Sequence, residues 1–372
     1  MSREEFDVAI IGGGVVGASL ARELTRWRVR VVVLDRAAEL PSGASRANSS
    51  MIHGGFDDSP NTLKARFCPE GNRMYHALKD ELDFHLDECG SYVCAFDDKD
   101  MAHLEKLLVQ GRANGVPGLE IVTGERLRGN EPNVKAALWS PTAAIVNNFE
   151  AVVAFMESAK INGAVLRLET RVTGLMLDDR GEVRGVETDR GPVYAPIVVN
   201  AAGVHSEEVA SWAGEPGFHI TPTRGEYFLL DRTAGDFVTS FLFACPSERG
   251  KGVTVARTAE GNLLAGPTAT VQKDGDDTAT TPEGLAQVLE GARRLVPNFP
   301  VNLNITTFAG VRANTDTGDF VIEALKAPRG FVNVAGIKSP GFTSAPAIAV
   351  HVAEMIRAEL GDRASFEPNP HF

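Results

Sequence analysis

The first 36 residues follow a pattern that few folds accommodate: a strand, a glycine turn, a helix, a second strand and an acid. Residues 8–11 and 29–34 are short apolar runs rich in β-branched side chains, which are typical of buried strands. Residues 18–24 between them have helical spacing, and Asp35 directly follows the second run. A strand, a helix and a strand in this order predict two neighbouring parallel strands, so we expect the chain to begin with an α/β domain.

The turn between the first strand and the helix has the sequence GxGxxG, formed by Gly12, Gly14 and Gly17. The first glycine permits a tight turn, the second lets the backbone approach a pyrophosphate, and the third lets helix and strand pack closely. The helix N-terminus offers N–H groups and a positive dipole end to the phosphates. Asp35 lies 18 residues after Gly17 and can accept hydrogen bonds from a ribose. The pattern predicts a bound dinucleotide but does not by itself choose between NAD and FAD.

The composition restricts the classes of partner. The chain has 372 residues, enough for two domains or one large one, and its 43% hydrophobic and 23% charged residues are ordinary for a globular protein. A net charge of −12 argues against a nucleic-acid or anionic-membrane partner, and it means that an anionic substrate needs a local cationic pocket. No segment is long and apolar enough for a membrane span, and the N-terminus does not resemble a signal peptide. We therefore expect a cytoplasmic protein, with a peripheral membrane contact and the oligomeric state left open.

The four cysteines, Cys68, Cys89, Cys94 and Cys245, include no CxxC pair. A zinc ribbon or a cysteine-ligated iron–sulfur cluster is therefore not expected, and no metal site is predicted. No cysteine follows Cys245, so the last quarter of the sequence has no thiol for covalent flavin attachment. The expected role of all four thiols is structural, in a reducing compartment.

The two ends of the chain show α/β patterns, whereas the middle is rich in alternating strands. This discontinuous arrangement is typical of flavoproteins of the glutathione-reductase type, so the predicted fold class is α/β (α+β): a Rossmann FAD-binding domain with an inserted, strand-rich substrate domain. The FAD-binding domain is predicted over residues 1–80, 142–216 and 305–372, and the substrate domain over residues 81–141 and 217–304. Helices are predicted at about residues 69–88, 101–113, 149–161 and 282–295 and from Pro346 onward, and residues 367–372 are expected to form a disordered tail.

The loop after Asp35 carries small polar residues and a histidine, in the sequence NSSMIHGG at residues 48–55. If Asp35 holds the ribose, this loop continues along the cofactor toward its reactive ring. His53 is then a candidate general base, because an ordinary histidine titrates at about pH 6.5. The alternative is a histidine that only makes local hydrogen bonds in a glycine turn, and position alone does not separate the two.

Three cations are candidates for binding an anionic substrate. Lys251 lies between two glycines, Arg312 lies at the end of a predicted strand, and Arg224 lies at the start of another. A guanidinium can hold an anion with two parallel hydrogen bonds, and an ammonium adds a point charge. The alternative for each is a solvated surface charge, which is the more usual situation of a single Lys or Arg.

Near the end of the sequence, a strand at residues 331–335 leads into a glycine-containing loop at residues 336–343 and then into a helix. Backbone N–H groups in such a loop can hold an anion or the polar edge of a flavin ring. The alternative is an ordinary strand-to-helix turn. Gly310, Arg312 and Asp319 precede this segment and favour the functional interpretation.

These segments together resemble a known family. Their order along the chain is GGGVVGASLARELTR, ASRANSSMIHGGFD, PTRGEYF, GKGVTVARTAEGNLLAGPTA, FAGVRANTDTGDFVI and FVNVAGIKSPGFTSAPAIA. Nearly the whole chain is similar to the FAD-dependent D-amino-acid-oxidase-like superfamily. Within it, the motifs resemble the type II glycerol-3-phosphate oxidase/dehydrogenase group, with L-2-hydroxyglutarate dehydrogenase as a near relative. The resemblance implies a non-covalently bound FAD and an oxidoreductase that acts on a CH–OH group.

The resemblance also implies which residues contact the cofactor and the substrate. Cofactor contacts are implied for Gly12, Gly14, Gly17, Asp35, Arg36, Ser45, Asn48, Ser49, Val172, Ala201, Gly203, Gly310, Gly336, Ser339, Gly341, Phe342 and Thr343. Substrate contacts are implied for Ser50, His53, Lys251, Arg312 and Ser339, with His53, Lys251 and Arg312 as the catalytic residues.

The reaction that the resemblance implies is oxidation of sn-glycerol 3-phosphate to dihydroxyacetone phosphate, by hydride transfer to flavin N5. His53 would take the hydroxyl proton, while Arg312 and Lys251 would hold the substrate anion. Relatives in multi-subunit dehydrogenases often carry a cysteine-rich [2Fe–2S] domain after these segments, which this sequence does not include. Electrons are therefore expected to pass to O2, giving H2O2, or to a separate acceptor. Three alternatives stay open: a 2-hydroxy acid dehydrogenase of the L-2-hydroxyglutarate type, an amine oxidase, and a non-catalytic flavin-binding subunit.

Overall fold

The computed structural model of the protein describes residues 4–123, 134–245, 252–361 and 366–372. Lys251 lies outside the described residues. The chain divides into two compact units. The first unit comprises Met1–Arg46, Phe149–Pro222 and Arg312–Phe372, and the second comprises Ala47–Asn148 and Thr223–Val311.

The boundaries of these units differ from the predicted domain boundaries. Residues 47–80, 142–148 and 305–311, which the prediction gives to the FAD-binding domain, lie in the second unit, and residues 217–222 lie in the first. The predicted domains are defined by the ligand that each binds, whereas the two units are defined by how compactly the chain packs. The units therefore do not test which residues bind FAD or substrate. The assignment of FAD and substrate to particular stretches of chain therefore stays a prediction.

The three long helices of the second unit begin where a side chain caps them. Thr62 accepts a hydrogen bond from the N–H of Ala65 at 3.1 Å, and Asp97 and Thr281 cap the two other long helices of the second unit in the same way. In the described residues the α-helices are α1 (Val15–Leu24), α2 (Gly43–Arg46), α3 (Leu63–Leu82), α4 (Asp98–Ala113), α5 (Asn148–Ile161), α6 (Ser206–Ser211), α7 (Pro282–Leu295) and α8 (Gly341–Leu360).

Most strands have two to six residues, whereas Ile220–Leu230 and Asn304–Thr315 have 11 and 12. In chain order they are β1 (Val8–Ile11), β2 (Val31–Leu34), β3 (Met51–Ile52), β4 (Leu86–Asp87), β5 (Ser91–Ala95), β6 (Glu120–Thr123), β7 (Ala136–Ser140), β8 (Ala144–Val146), β9 (Val165–Arg167), β10 (Val172–Leu177), β11 (Val183–Thr188), β12 (Val193–Tyr194), β13 (Ile197–Asn200), β14 (Ile220–Leu230), β15 (Phe241–Ala244), β16 (Thr254–Arg257), β17 (Leu263–Gly266), β18 (Thr270–Val271), β19 (Asn304–Thr315), β20 (Val321–Ala324) and β21 (Phe331–Ala335).

The first unit is built on a six-stranded sheet with the order β20-β21-β13-β1-β2-β9. All of its neighbouring strands are parallel except the pair of β20 and β21. The chain places β2 on one side of β1 and later places β13 on the other, so the strand order reverses at β1. Open parallel sheets bind ligands outside the carboxyl ends of the strands at such a point. α1 packs against α8, and β10, β11 and β12 form a separate antiparallel sheet.

The second unit is built on a larger sheet with the order β18-β14-β17-β16-β15-β5-β7-β6, in which β19 also pairs with β14. In the described part of this sheet, β15 and β5 pair in parallel, whereas β14 pairs antiparallel with β17 and β18, and the pairs β15–β16, β16–β17, β5–β7 and β6–β7 are also antiparallel. The apolar faces of β14 to β17 pack against α7, and α4 packs against β5, β6 and β7. A smaller sheet, β3-β8-β4, carries the segment that leads to His53.

Two sequence expectations about the end of the chain are wrong. The last helix begins at Gly341 rather than at Pro346, because the residues before the proline already form helical turns and Pro346 lies inside the helix. The expected disordered tail is packed: the side chain of Asn369 donates to the carbonyls of Thr25 and Asn162, and Phe372 lies against Arg22 and Arg26. Amide and cation–π contacts hold this segment even though its composition is that of a loop.

The four cysteines are free thiols, as expected for structural residues. Burial raises the pKa of Cys89 to about 12 and that of Cys245 to about 12, so neither is an activated thiolate. No group of metal-ligating side chains is present among the residues that the structure describes. Within those residues, no helix is long and apolar enough to cross a membrane.

Candidate active site

The glycine turn after β1 is closed in by backbone. Gly12 has a φ of +104°, and a Cβ on it would lie 2.5 Å from the carbonyl oxygen of Ala201. A Cβ on Gly17 would overlap the carbonyl oxygen of Gly12, because α1 and β1 approach each other closely there. The turn therefore presents bare backbone at the carboxyl edge of the parallel sheet.

Asp35 ties this turn to the neighbouring strand. Its carboxylate is 7% exposed; one oxygen accepts from the N–H of Gly13 at 2.7 Å and the other from the N–H of Ala37 at 2.8 Å. A carboxylate has about four lone-pair sites, so these two bonds leave capacity for ribose hydroxyls. The structure thus adds a role in shaping the glycine turn, and the ribose contact stays a prediction.

Ser45 caps α1 from a distant part of the chain. Its hydroxyl accepts from the N–H of Val15 at 2.9 Å, and a Cβ on Gly14 would lie 3.0 Å from that hydroxyl oxygen. The first turn of α1 contains no acidic side chain. The positive end of the helix dipole is therefore not neutralised within the helix, which favours an anionic ligand beside the turn.

The turn after β13 lies against the glycine turn, since the N–H of Ala201 donates to the carbonyl of Ile11 at 3.0 Å. A buried amide network supports it. The side chain of Asn200 donates to the carbonyl of Ser206 at 2.7 Å and to the side-chain oxygen of Asn333 at 3.0 Å. Neither asparagine was among the predicted site residues, although each is a polar residue within an otherwise apolar strand, which is a usable signal.

The other predicted cofactor residues of the first unit lie at several places. Gly336, with a φ of +65°, directly follows β21, and Gly203, with a φ of +60°, follows β13. Val172 begins β10 and packs against an apolar cluster. Arg36 is exposed after β2, Ser339 is exposed before α8, Gly341 and Thr343 are buried in its first turn, and Phe342 is half-buried there. Their contacts with a cofactor stay predictions.

His53 lies in the second unit, just after β3, and is half-buried. Its ring lies 6.2 Å from that of Phe243, between centroids. Its carbonyl accepts from the side chain of Asn72 at 3.0 Å, and the same amide donates to the carbonyl of Thr142 at 2.7 Å. Asn72 is 3% exposed, so this bond fixes the backbone of His53 from within the protein.

Two further amides from α4 and its end hold the same loop, which we call the histidine loop (residues 53–58). Gln110 donates to the carbonyl of Phe56 at 3.1 Å, and Asn114 donates to those of Gly55 and Asp58 at 3.0 Å and 2.8 Å. Sequence analysis missed these residues and Asn72, because nothing local indicates which distant amide meets which carbonyl. The loop is therefore held by side-chain amides that donate to its carbonyls, whereas the glycine turn is packed against backbone and the side chains of Asp35 and Ser45 accept from its N–H groups.

The segment before β3 is also tightly specified. Ser50 has a φ of +56°, which is uncommon for a residue other than glycine. Its N–H donates to the side chain of Asn48 at 2.6 Å, and its hydroxyl lies 2.9 Å from the side-chain oxygen of Asn148. Unusual backbone conformations of this kind concentrate at functional sites. The predicted roles of Asn48, Ser49 and Ser50 beside cofactor and substrate stay untested.

The predicted cations differ in their surroundings. Arg224 pairs with Glu226 at 3.4 Å and with Asp277 at 3.0 Å, so its charge is used within the second unit rather than offered to a substrate. Arg312 is half-buried on β19, two residues after Gly310. A Cβ on Gly310 would overlap the carbonyl oxygen of Ala47, which explains the glycine there by close packing within the second unit.

The carboxyl edge of the first unit fits a dinucleotide: a bare glycine turn, a helix N-terminus whose first turn holds no acid and a buried carboxylate lie together there. A family model described as FAD dependent oxidoreductase, DAO, matches residues 7–355. The chain belongs to this family. It is therefore an FAD-dependent oxidoreductase, and the predicted cofactor, fold class and family are confirmed.

Glycerol 3-phosphate and L-2-hydroxyglutarate enzymes are similar to this chain over nearly its whole length. A glycerol 3-phosphate dehydrogenase from Caloramator mitchellensis is 41% identical over 98% of this chain and 77% of its own length. A glycerol 3-phosphate oxidase from Mycoplasma genitalium is 28% identical, with 98% of both chains covered. An L-2-hydroxyglutarate dehydrogenase from Escherichia coli K12 is 27% identical over 97% of this chain and 95% of its own length.

Solved structures show the same fold. The dithionite-reduced L-α-glycerophosphate oxidase from Mycoplasma pneumoniae, with FAD bound, has a TM-score of 0.88 and 28% identity over 95% of this chain and 94% of its own. A glycine oxidase from Geobacillus kaustophilus has a TM-score of 0.85 at 24% identity, with 99% of both chains covered. At 24% identity, the similarity to the glycine oxidase supports the fold alone.

Proposed function

We propose that the protein oxidises sn-glycerol 3-phosphate to dihydroxyacetone phosphate with FAD as the hydride acceptor. The observation that carries the proposal is the 41% identity to a glycerol 3-phosphate dehydrogenase over 98% of the chain. The oxidases that share the whole length of the chain support the same substrate. Members of this family use FAD for the redox step, and the residues of this chain would bind the substrate and accept its proton.

His53 is the proposed general base. It takes the proton of the secondary hydroxyl as the hydrogen on the same carbon leaves as hydride. Its fixed backbone supports this role, since the buried amide of Asn72 holds the carbonyl of His53 at 3.0 Å. A base that is held in place loses less freedom on reaching the reacting geometry.

Arg312 and Lys251 are the proposed binding groups for the phosphate. The guanidinium of Arg312 suits a phosphate because its planar donors match two oxygens, and the ammonium of Lys251 adds a compact charge. Ser50 and Ser339 are proposed to contribute hydroxyl contacts to the substrate. A cationic set of this kind is needed because the chain as a whole has a net charge of −12.

A panel of substrates tests the proposal directly. The yellow holoenzyme is mixed anaerobically with sn-glycerol 3-phosphate, L-2-hydroxyglutarate or glycine, and flavin bleaching is followed by absorbance. Bleaching by glycerol 3-phosphate at a far lower concentration than by the other two is the expected result. Preferential bleaching by L-2-hydroxyglutarate would instead support the second candidate, which the 27% identity to such dehydrogenases favours.

The electron acceptor is a separate part of the proposal. We propose that the electrons pass to O2, giving H2O2, or to a separate acceptor. Peroxide release during turnover in air, at one equivalent per product, is the result expected of an oxidase. Turnover that needs an added dye or quinone and releases no peroxide is the result expected of a dehydrogenase.

A further inference from the structure

One face of α3 carries hydrogen-bonding side chains at helical spacing, from the histidine loop outward to solvent. Cys68, Asn72, His76 and Lys79 follow one another at intervals of three or four residues, so they share a face of the helix. Cys68 and Asn72 are buried, whereas the side chains of His76 and Lys79 are each 26% exposed. This row of side chains begins at the carbonyl of His53, which both Sγ of Cys68 and the amide of Asn72 reach.

A chain of hydrogen bonds connects His76 to the backbone of His53. The amide nitrogen of Asn72 donates to the carbonyl of His53 at 3.0 Å and to that of Thr142 at 2.7 Å. The carbonyl of Thr142 also lies 3.0 Å from Nε2 of His76. An amide nitrogen has two protons and a carbonyl has two lone pairs, so both groups are fully used in this chain. The orientation of the Asn72 amide therefore depends on where the Thr142 carbonyl is held.

The protonation of His76 follows from its two partners. A carbonyl only accepts, so Nε2 donates to Thr142. Nδ1 lies 2.8 Å from a carboxylate oxygen of Glu88, and hydrogen bonds from Lys79 and then from His76 lower the pKa of this carboxyl. An ionised carboxylate also only accepts, so the ring donates from both nitrogens and is an imidazolium. Hydrogen bonds from a charged donor are the stronger kind, so His76 is held firmly between Glu88 and Thr142.

The loop that contains Thr142 also packs against the histidine loop. Residues 141–143 connect β7 to β8. A Cβ on Gly54 would lie 2.3 Å from the hydroxyl oxygen of Ser140 and 3.4 Å from that of Thr142. The position of Thr142 therefore affects the histidine loop in two ways, through the amide of Asn72 and through its close approach to Gly54.

We propose that His76 is a positioning residue for the base of the reaction. By holding the carbonyl of Thr142, it directs one proton of the Asn72 amide to that carbonyl and the other to the carbonyl of His53. The backbone of His53 is thereby fixed, and its imidazole is held where it can take the proton of the substrate hydroxyl. This role of His76 rests on His53 as the base, which is part of the function proposed above.

Two amide substitutions of His76 test the proposal, because each keeps one of the two ring donors. Counted along the side chain, the amide nitrogen of Gln takes the place of Nε2 and that of Asn takes the place of Nδ1. His76→Gln therefore keeps a donor for Thr142, whereas His76→Asn keeps a donor for Glu88.

The measurement is the rate of flavin reduction in the holoenzyme, followed by anaerobic stopped-flow absorbance. The substrate is the one of the panel that bleaches the wild type, at a saturating concentration. The rate should fall about tenfold in His76→Asn and in His76→Leu, because the base loses its position. His76→Gln should recover most of this loss. Unchanged rates in His76→Asn and His76→Leu, or equal losses in His76→Gln and His76→Asn, would overturn the proposal.

Lys79→Met is the matched control. Lys79 donates to the same carboxylate oxygen of Glu88 at 2.9 Å, from the same helix and with the same exposure as His76. Within the part of the chain that the structure describes, the carbonyl of Thr142 accepts from Asn72 and His76 and not from Lys79. The control should keep the wild-type rate. A loss equal to that of His76→Leu would show that the ion pair with Glu88 matters and the bond to Thr142 does not, and the proposal would be refuted.

A double variant shows whether His76 acts through the amide of Asn72. Asn72→Asp with His76→Leu should reduce its flavin no more slowly than Asn72→Asp alone, since the chain of hydrogen bonds is already broken. Additive losses would contradict the proposal. The Gln and Asn variants of His76 change no buried residue, so they decide the question even if the double variant is unstable.

The same experiment on His53→Ala separates this proposal from the function on which it rests. A slow His53→Ala together with normal rates in the His76 variants would overturn only the positioning role of His76. A normal rate in His53→Ala would show that the base is another group, and the positioning role would fall with it. Slow reduction in His53→Ala, in His76→Asn and in His76→Leu, with recovery in His76→Gln, is the expected result.

Discussion

The glycine turn of the first unit and the histidine loop of the second are both held rigidly, but by opposite means. The turn is closed by backbone atoms so near that no Cβ fits at Gly12 or Gly17. The loop is held by long-range amides, with Asn72, Gln110 and Asn114 donating to its carbonyls. We therefore expect the glycine turn to be destabilised when a side-chain atom is added to it. We expect the histidine loop to be destabilised when one of its amide donors is removed.

The largest expected effect is that of a single methyl group in the turn. Gly17→Ala places a Cβ against the carbonyl oxygen of Gly12, which belongs to the backbone and cannot step aside. We expect a loss of roughly 3 kcal/mol or more in the free energy of unfolding and purification without bound flavin. Flavin absorbance per protein and thermal unfolding measure both effects.

Gly174→Ala on β10 is the matched control for this change. A Cβ on Gly174 would lie 4.0 Å from that of Glu187, which is an ordinary contact. The control should keep its flavin and its stability to within about 1 kcal/mol. If Gly17→Ala also kept both, the closed backbone of the turn would not matter for binding.

The second effect is a change in the rate of flavin reduction that leaves FAD binding unchanged. His53→Ala should lower the rate of flavin reduction by glycerol 3-phosphate by about 10² to 10⁴, the usual contribution of a general base, while the flavin content stays at the wild-type level. Anaerobic stopped-flow absorbance gives the rate. His103→Ala, a half-buried histidine on α4 of the same unit, is the control and should react as the wild type does. Near-normal reduction in His53→Ala would remove His53 as the base.

The third effect tests the amides that hold the histidine loop. Asn72→Asp keeps the shape but replaces the donor with an acceptor that faces the carbonyls of His53 and Thr142. A buried carbonyl without its donor costs about 1 to 3 kcal/mol, so we expect a loss of about 2 kcal/mol or more in stability. The rate of flavin reduction should fall about tenfold as His53 loses its position.

Asn114→Asp is the control for position within the loop. Asn114 donates to the carbonyls of Gly55 and Asp58, beyond His53, from the end of α4. Urea unfolding should show a stability loss in both variants, whereas only Asn72→Asp should show the large loss of rate. Equal rates in the two variants would mean that the bond to His53 does not position the base.

The contrast between the two regions also explains what the sequence could predict. The glycine turn is visible in Gly12, Gly14, Gly17 and Asp35 because its geometry is set by backbone conformation and short spacings. The amide partners of the histidine loop come from α3 and α4, some 19 to 59 positions away from the carbonyls that they hold. Periodicity reports which face of a helix is buried, and it does not report which carbonyl a buried amide reaches.

The end of the chain shows the same limit. Residues 367–372 have the composition of a loop, yet Asn369 and Phe372 are held by residues more than 200 positions earlier. The helical spacing predicts a helix from Pro346 onward, but α8 begins at Gly341 and Pro346 lies inside it. Local sequence preference therefore indicates where a helix or loop occurs, whereas tertiary contacts decide where the helix begins and whether the loop is ordered.

The smallest effect tests whether the cofactor edge of the first unit depends on the exposed charge pair of His219 and Glu207. His219 is exposed and pairs with Glu207 of α6, and this carboxylate, followed by Asp316, raises the pKa of His219 above its ordinary value. A group whose pKa is raised on folding stabilises the protein fully below its unfolded pKa, and this contribution is lost as the pH rises through the folded pKa. The melting temperature of the wild type minus that of His219→Ala should therefore be largest below the unfolded pKa of about 6.5 and fall as the pH rises through the raised folded pKa. Throughout this range the FAD affinity of the two proteins should be equal, because the turn next to α6 is held by the backbone and by the buried amide of Asn200. A melting difference that grew with pH would contradict the pairing, and an FAD affinity that followed the titration would show that this exposed charge pair also shapes the glycine edge.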